Sequence, residues 1–253
     1  MSTDSALDRT QLRRDFEERR GYWTGWLEEI LRHSPEFFDA FLCFTSAPWN
    51  SHALTPRVKE LVYVAIDAAI THLYEPGIRK HIGDALGHGA TVQEITETLQ
   101  LASCIGLLST TVSAPYLLQF LRSRGEPFQA LTADQIALKD EFEAATGHWD
   151  EGMDALLRVD PIAFAKHAHY LCSAWQTSAL DPVTRELLCV AVHASSTLLH
   201  RPGIARHMER ALEAGATREQ IIEVLQLTSV IGIHTCSVAM PLLAEVAASN
   251  KLG

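Results

Sequence analysis

The chain repeats itself at a constant offset of 126 residues, and any fold it adopts must accommodate that repetition. The passage "IRKHIGDALGHGATVQEITETLQLASCIG" (78–106) returns as "IARHMERALEAGATREQIIEVLQLTSVIG" (204–232). Between Leu54–Gly106 and Leu180–Gly232, 26 of 53 positions are identical without a gap. Landmarks further out keep the same register: Trp23 with Trp149, Phe38 with Phe164, Trp49 with Trp175, Pro115 with Pro241. Two copies are too few to stack into a solenoid, so the pattern predicts a pseudo-symmetric pair of duplicated domains. The boundary is expected near "SRGEPFQALT" (123–132), where Gly and Pro interrupt the helical pattern, giving domains 1–125 and 126–253.

Each half reads as helix. Thr55 and Asp181 stand as N-caps ahead of a proline at the first helical position. "EPGIRKHIGDALGHGAT" and "RPGIARHMERALEAGAT" restart a short helix at Pro76 and Pro202 and stop at Gly89 and Gly215. Thr91 with Glu94 makes a capping box for a long third helix, and Thr217 takes that place in the second copy. No segment alternates with period two, so an all-α fold is expected.

The helix after Thr55 is apolar nearly all the way round, with Val64, Ala68 and Ile70 extending the face made by Val58, Leu61, Val62 and Ala65. Such a helix is buried on every side. One polar stripe remains: Glu60, Asp67, Thr71 and Tyr74 in the first copy, Glu186, His193, Thr197 and His200 in the second. A carboxylate on a buried helix suits a general base, or forms a buried ion pair with Lys59 or Arg185. His81 and His207 fall on the packed side of the next helix, as core hydrogen-bonding residues or as catalysts.

Composition narrows the function classes. A net charge of −10, spread along the chain, argues against a nucleic-acid groove. The five cysteines are odd in number and form no C-x-x-C, so reduced thiols in a cytosolic protein are expected. The first twenty residues have no apolar core of the signal-peptide kind. Thr98–Leu121 is uncharged but carries too many Ser, Thr and Gln residues for lipid on all sides, so burial between subunits is the expectation. His193, His200 and His207 are seven apart, but Pro202 breaks the helix between the last two, and no metal site is expected there.

The ordered run "KELVYVAIDAA…EPGIRKHIGDALGHGATVQEITETLQ", matched in both copies, resembles the carboxymuconolactone decarboxylase family, over about 55 residues of each half. The resemblance implies duplicated AhpD-like helical domains. One branch of that family reduces peroxides with a C-x-x-C pair four and seven residues before the histidine. Here those positions hold Tyr74 and Gly77, and His200 and Gly203, so the dithiol relay is missing. The other branch decarboxylates a lactone acid without metal or organic cofactor. On that reading His207, His193 and Glu186 carry proton transfer, with His81 and Glu60 as first-half counterparts. Arg185, Arg206, His200 and His234 would bind a small carboxylate substrate. The family forms rings, which for a two-copy chain implies a homotrimer of pseudo-sixfold character. The alternatives are a hydroperoxidase-related protein or a non-catalytic ligand-binding or assembly protein that kept the fold.

Overall fold

The computed structural model describes residues 7–128, 130–176 and 178–250; the first six residues of the stretch read above against a signal peptide lie outside them. Among the described residues the chain is helical, with no strand. The first half runs α1 (Arg9–Arg20), α2 (Gly25–His33), α3 (Pro35–Asn50), α4 (Pro56–Ala68), α5 (Glu75–Gly87) and α6 (Val92–Ser103). A tight turn then leads to α7 (Leu108–Thr111) and α8 (Ala114–Ser123). The second half repeats the order as α9 (Ala133–Thr146), α10 (Glu151–Val159), α11 (Pro161–Trp175), α12 (Pro182–Ala194), α13 (Arg201–Glu213), α14 (Arg218–Val230) and α15 (His234–Ser249).

The local start signals operate as the sequence implies. The Thr55 hydroxyl accepts from Val58 N and the Asp181 carboxylate from Thr184 N, capping α4 and α12. Thr91 with Glu94 and Thr217 with Gln220 form reciprocal capping boxes on α6 and α14. Each box satisfies two backbone N–H groups that a helix end would otherwise leave unpaired.

The polar stripe needs correction. α4 ends at Ala68, so Thr71 and Tyr74 leave that helix, and Ile70 is 61% exposed rather than an extension of its apolar face. After Ala68 the chain turns back through Leu73, held at φ 48°, so that Tyr74 N donates to Asp67 O. The second half copies the turn through Leu199 at φ 47°, with His200 N donating to His193 O. A left-handed leucine is sterically costly and persists only where its surroundings enforce it. Here it brings position 67 beside 74, and 193 beside 200. Thr71 and Thr197, equivalent residues of the two halves, meet hydroxyl to hydroxyl at 3.0 Å, which marks the pseudo-twofold axis.

One continuous core takes residues from both halves: α4 and α12 pack on each other, flanked by α5, α6, α13 and α14. The outer helices cross over. α2 packs on α15 and α3 on α14, whereas α10 packs on α7 and α8, and α11 on α6. The leading helices of each half therefore cover the third helix of the other and the helical segment that follows it.

Two ion pairs cross the axis in equivalent places. Lys59 Nζ lies 2.9 Å from Glu223 Oε1, and Arg185 Nη2 lies 2.7 Å from Glu97 Oε1. Lys59 also donates to the Pro48 and Ser51 carbonyls, and Glu97 accepts from the Ala179 and Leu180 N–H groups. Lys59, Glu97 and Glu223 are no more than 2% exposed.

The uncharged segments end outward in the single chain. The continuous helical stretches Val92–Ser123 and Arg218–Ser249 are long and apolar enough to cross a membrane, but each is interrupted by a tight 3-10 turn. Val112, Tyr116, Leu117 and Phe120 are exposed, and so are their equivalents Val238, Leu242, Leu243 and Val246.

Removing one partner of a buried ion pair leaves an uncompensated charge and costs about 3–5 kcal/mol. Lys59→Met is therefore expected to lower unfolding free energy by about that amount in urea titration, and Lys59→Met/Glu223→Leu to recover most of it. A loss under about 1 kcal/mol for the single variant would show that the pair is not a fastening point.

Candidate active site

Glu186, Cys189 and His193 recur at three, four and seven residues and so share one face of α12. α13 supplies Arg206, His207 and Arg210 opposite that face. Trp175, at the end of α11, stacks parallel to His207 at 6.1 Å and lies under the Arg210 guanidinium. Together with α6–α8 and the α9–α10 loop these helices enclose a cavity of about 860 Å³. That volume suits a small organic molecule. Its apolar wall comes largely from the first half, through Leu101, Ile105, Leu108 and Val112.

Hydrogen bonds fix the tautomers. Gly203 N donates to His200 Nδ1 at 3.2 Å, so that nitrogen is an acceptor and the His200 proton sits on Nε2. His193 Nδ1, 3.0 Å from His200 Nδ1, must then carry a hydrogen, which leaves its Nε2 as a lone pair. His207 Nδ1 donates to Glu186 Oε2 at 2.7 Å, leaving Nε2 free to accept. Thr110 donates its hydroxyl to Leu107 O and accepts from His167 Nδ1, so the buried His167 Nε2 is a third acceptor, with no partner among the described residues. Gly203 permits this packing: a Cβ there would collide with both His193 and His200.

Electrostatics keep these rings neutral. Burial, then the neighbouring His207, His200 and Arg206, push the His193 imidazole down to about 3. Burial lowers His207 as well, against the opposing pull of Glu186, and burial also lowers His167 and His200. The cations are Arg206 and Arg210. Arg206 Nη1 lies 2.7 Å from His148 Nε2 and 3.7 Å from Asp150, whose carboxyl is held down to about 2 by the hydrogen bonds it accepts from His148 Nε2 and Met153 N, despite partial burial. Arg210 Nε lies 3.0 Å from Glu186 Oε1 and donates through Nη1 to Thr146 O. Cys104 and Cys189 also line the cavity, and burial raises both thiols, Cys104 to about 11. They are poor nucleophiles at neutral pH.

His207, Glu186, His193, His200 and Arg206 thus come together. Four other sequence candidates, Arg185, His234, His81 and Glu60, do not join them. Arg185 is committed to Glu97 across the pseudo-twofold axis and lies outside the cavity lining, so it is a structural cation rather than a carboxylate holder. His234 reaches the first half instead, 2.8 Å from His72 Nε2 and 3.7 Å from Asp67. Nearby, His81 Nδ1 meets Glu60 Oε2 at 2.6 Å, mirroring the His207–Glu186 pair in a separate cluster. Glu186 itself is engaged at both oxygens, which makes it an orienter of His207 more than a free base. Sequence reading missed His148, Asp150, His167 and Arg210. Only Arg210 carried a signal, one turn beyond Arg206 on the same face.

The chain has recognisable relatives. The family model described as "Carboxymuconolactone decarboxylase family" matches twice, over residues 35–114 and 163–242. A crystal structure from Burkholderia xenovorans LB400, provisionally named a gamma-carboxymuconolactone decarboxylase subunit, superposes with a TM-score of 0.89 at 34% identity. That similarity covers 98% of this chain and 99% of the other. No curated protein matches.

The depressed His193 carries a pH signature. In the unfolded chain an imidazole titrates near 6.5, so between about pH 6.5 and 3 the unfolded state binds the extra proton. The stability that His193 contributes is present above that window and is lost as pH falls through it. The slope reaches at most about 1.4 kcal/mol per pH unit. Relative to His193→Gln, the wild type should lose stability between pH 6.5 and 4 in urea titrations. Comparing slopes cancels the opposite trend of Asp67, which both proteins share. Parallel curves would refute a neutral buried His193.

Proposed function

We propose that this chain, which belongs to the carboxymuconolactone decarboxylase family, is a cofactor-free lyase or isomerase acting on a small lactone or keto acid by general acid–base proton transfer. The supporting observation is the composition of the cavity: two guanidinium groups and the His200 Nε2–H as donors, facing the imidazole acceptors His193 and His207. An anionic substrate anchors its carboxylate on Arg206 and Arg210. As the carbon–carboxylate bond breaks, its electron pair moves into the conjugated carbonyl, and a donor such as His200 Nε2–H stabilises the oxyanion. His207, protonated on Nε2 from solvent and steadied as imidazolium by Glu186, returns one proton to the carbanion. Carbon dioxide leaves, and the proton consumed is replaced from water. For an isomerisation, His207 or His193 removes and returns the proton without loss of carbon dioxide.

Turnover of lactone and keto carboxylates, followed by ultraviolet absorbance and carbon dioxide release, tests this. His207→Ala is expected to lower kcat by about 10²–10⁴-fold. Arg206→Ala is expected to act mainly on KM. A His207→Ala protein with wild-type kcat would falsify the assignment, and saturable binding with no turnover in the wild type would favour the ligand-binding alternative.

The same chain is proposed to assemble as a homotrimer. The exposed apolar faces of α8 and α15 occupy equivalent positions of the two halves, and Arg122 and Arg124 at the end of α8 complement Glu245 on α15. Packing α8 of one chain on α15 of the next is a head-to-tail contact that can close into a ring. Light scattering should give about three times the 28.0 kDa chain mass, and Phe120→Asp should dissociate it. A wild type at the mass of one chain would exclude the ring.

A further inference from the structure

The polar cluster of the first half is not a copy of the second. Where the second half has His193, Leu198 and, on α7, Leu108, the first half and α15 place Asp67, His72 and His234. These three come from the end of α4, the following turn, and the start of α15. Asp67 Oδ1 lies 3.8 Å from His72 Nε2 and 3.7 Å from His234 Nδ1, and the two imidazole nitrogens are 2.8 Å apart. A tetrahedral ion with bonds of about 2.0–2.2 Å sets its ligand atoms roughly 3.3–3.5 Å apart. The observed triangle brackets that edge.

Asp67 supplies an independent sign. Its side chain is fully buried, and neither carboxylate oxygen has a hydrogen-bond partner among the described residues. A buried carboxylate without a donor is costly, and nearly all such groups in proteins are matched by a donor or a cation. Lys80 does not serve, because it bonds Asp84, and the nearest His81 nitrogen is 4.0 Å from Oδ2. Gly77 is needed to leave the carboxylate this room, since a Cβ there would collide with Oδ2.

We propose that Asp67, His72 and His234 bind one divalent transition-metal ion of the zinc class, leaving a coordination position open to water or a small ligand. Two imidazoles and one carboxylate form a borderline donor set that favours zinc or a neighbouring first-row ion over magnesium or calcium. Both histidine side chains keep 16% exposure, which gives an ion a route in. The Tyr74 ring, stacked on His234 at 3.9 Å with its hydroxyl 2.8 Å from Ser237 Oγ, fixes the orientation of that ligand. Pair spacings along the sequence could not reveal the site, because His234 stands 162 residues from His72. The second half lacks all three ligands, so the stoichiometry is one ion per chain.

The test is titration of chelator-treated protein with Co²⁺, read by visible d–d absorption, and with Zn²⁺, read by elemental analysis after gel filtration. One equivalent should bind. His72→Ala, His234→Gln and Asp67→Asn should each weaken binding by more than the roughly 10–100-fold typical of outer-sphere changes. His200→Ala, in the other cavity, should bind as the wild type does, and circular dichroism checks that every variant is folded. The proposal is overturned by a wild type that takes up no ion at micromolar Zn²⁺ or by His72→Ala and His234→Gln proteins that bind normally. It is equally overturned by loss of binding in His200→Ala, or by a thiolate charge-transfer band placing Co²⁺ on cysteine.

Discussion

The paired crossing of buried charges, Lys59 to Glu223 and Arg185 to Glu97, is the constraint on which the arrangement of the molecule rests. A buried charge is tolerable only next to its opposite, so neither half can shift along the other without breaking both pairs and stranding their charges. Glu97 also anchors the loop that leads into α12, and Lys59 holds the end of α3 through the Pro48 carbonyl. The position of α12 against α6, and hence the floor of the cavity, follows from these contacts.

Given that fixed frame, the left-handed leucines gain their significance. Each folds the chain back immediately after a buried helix and sets the residue seven positions on beside the last polar group of that helix. In the second half this yields a pair of neutral imidazoles, in the first an aspartate beside a tyrosine. Identical backbone turns thus present different chemistry, because the geometry is specified by the main chain and the reactivity by side chains.

What could be read from the sequence was local or periodic. The repeat shows as a constant offset of 126 residues, and the capping boxes at Thr91 and Thr217 and the placing of Glu186 with His207 depend on spacings within one or two helices. Arg185 was misread because its partner, Glu97, lies in the other half, and a cation that answers a distant carboxylate looks the same in sequence as one awaiting a ligand. His148, Asp150 and His167 escaped for a related reason. His148 and Asp150 stand in the α9–α10 loop and His167 on α11, and they reach the cavity only through the crossing of α10 and α11 onto the first half. The exchange of covering helices has no periodic trace.

That exchange has a consequence for how the two clusters can change. In a symmetric pair of identical chains every substitution is made twice, so both sites must tolerate it together. Here α15 of the second half completes the first cluster, and α7 of the first half walls the second, yet each is encoded once. Leucine at 108 and histidine at 234 occupy equivalent places, and each serves only the neighbour's site. Covalent fusion thereby frees the two pockets from one another: a residue of one copy can be retuned for the other copy's chemistry without altering its own.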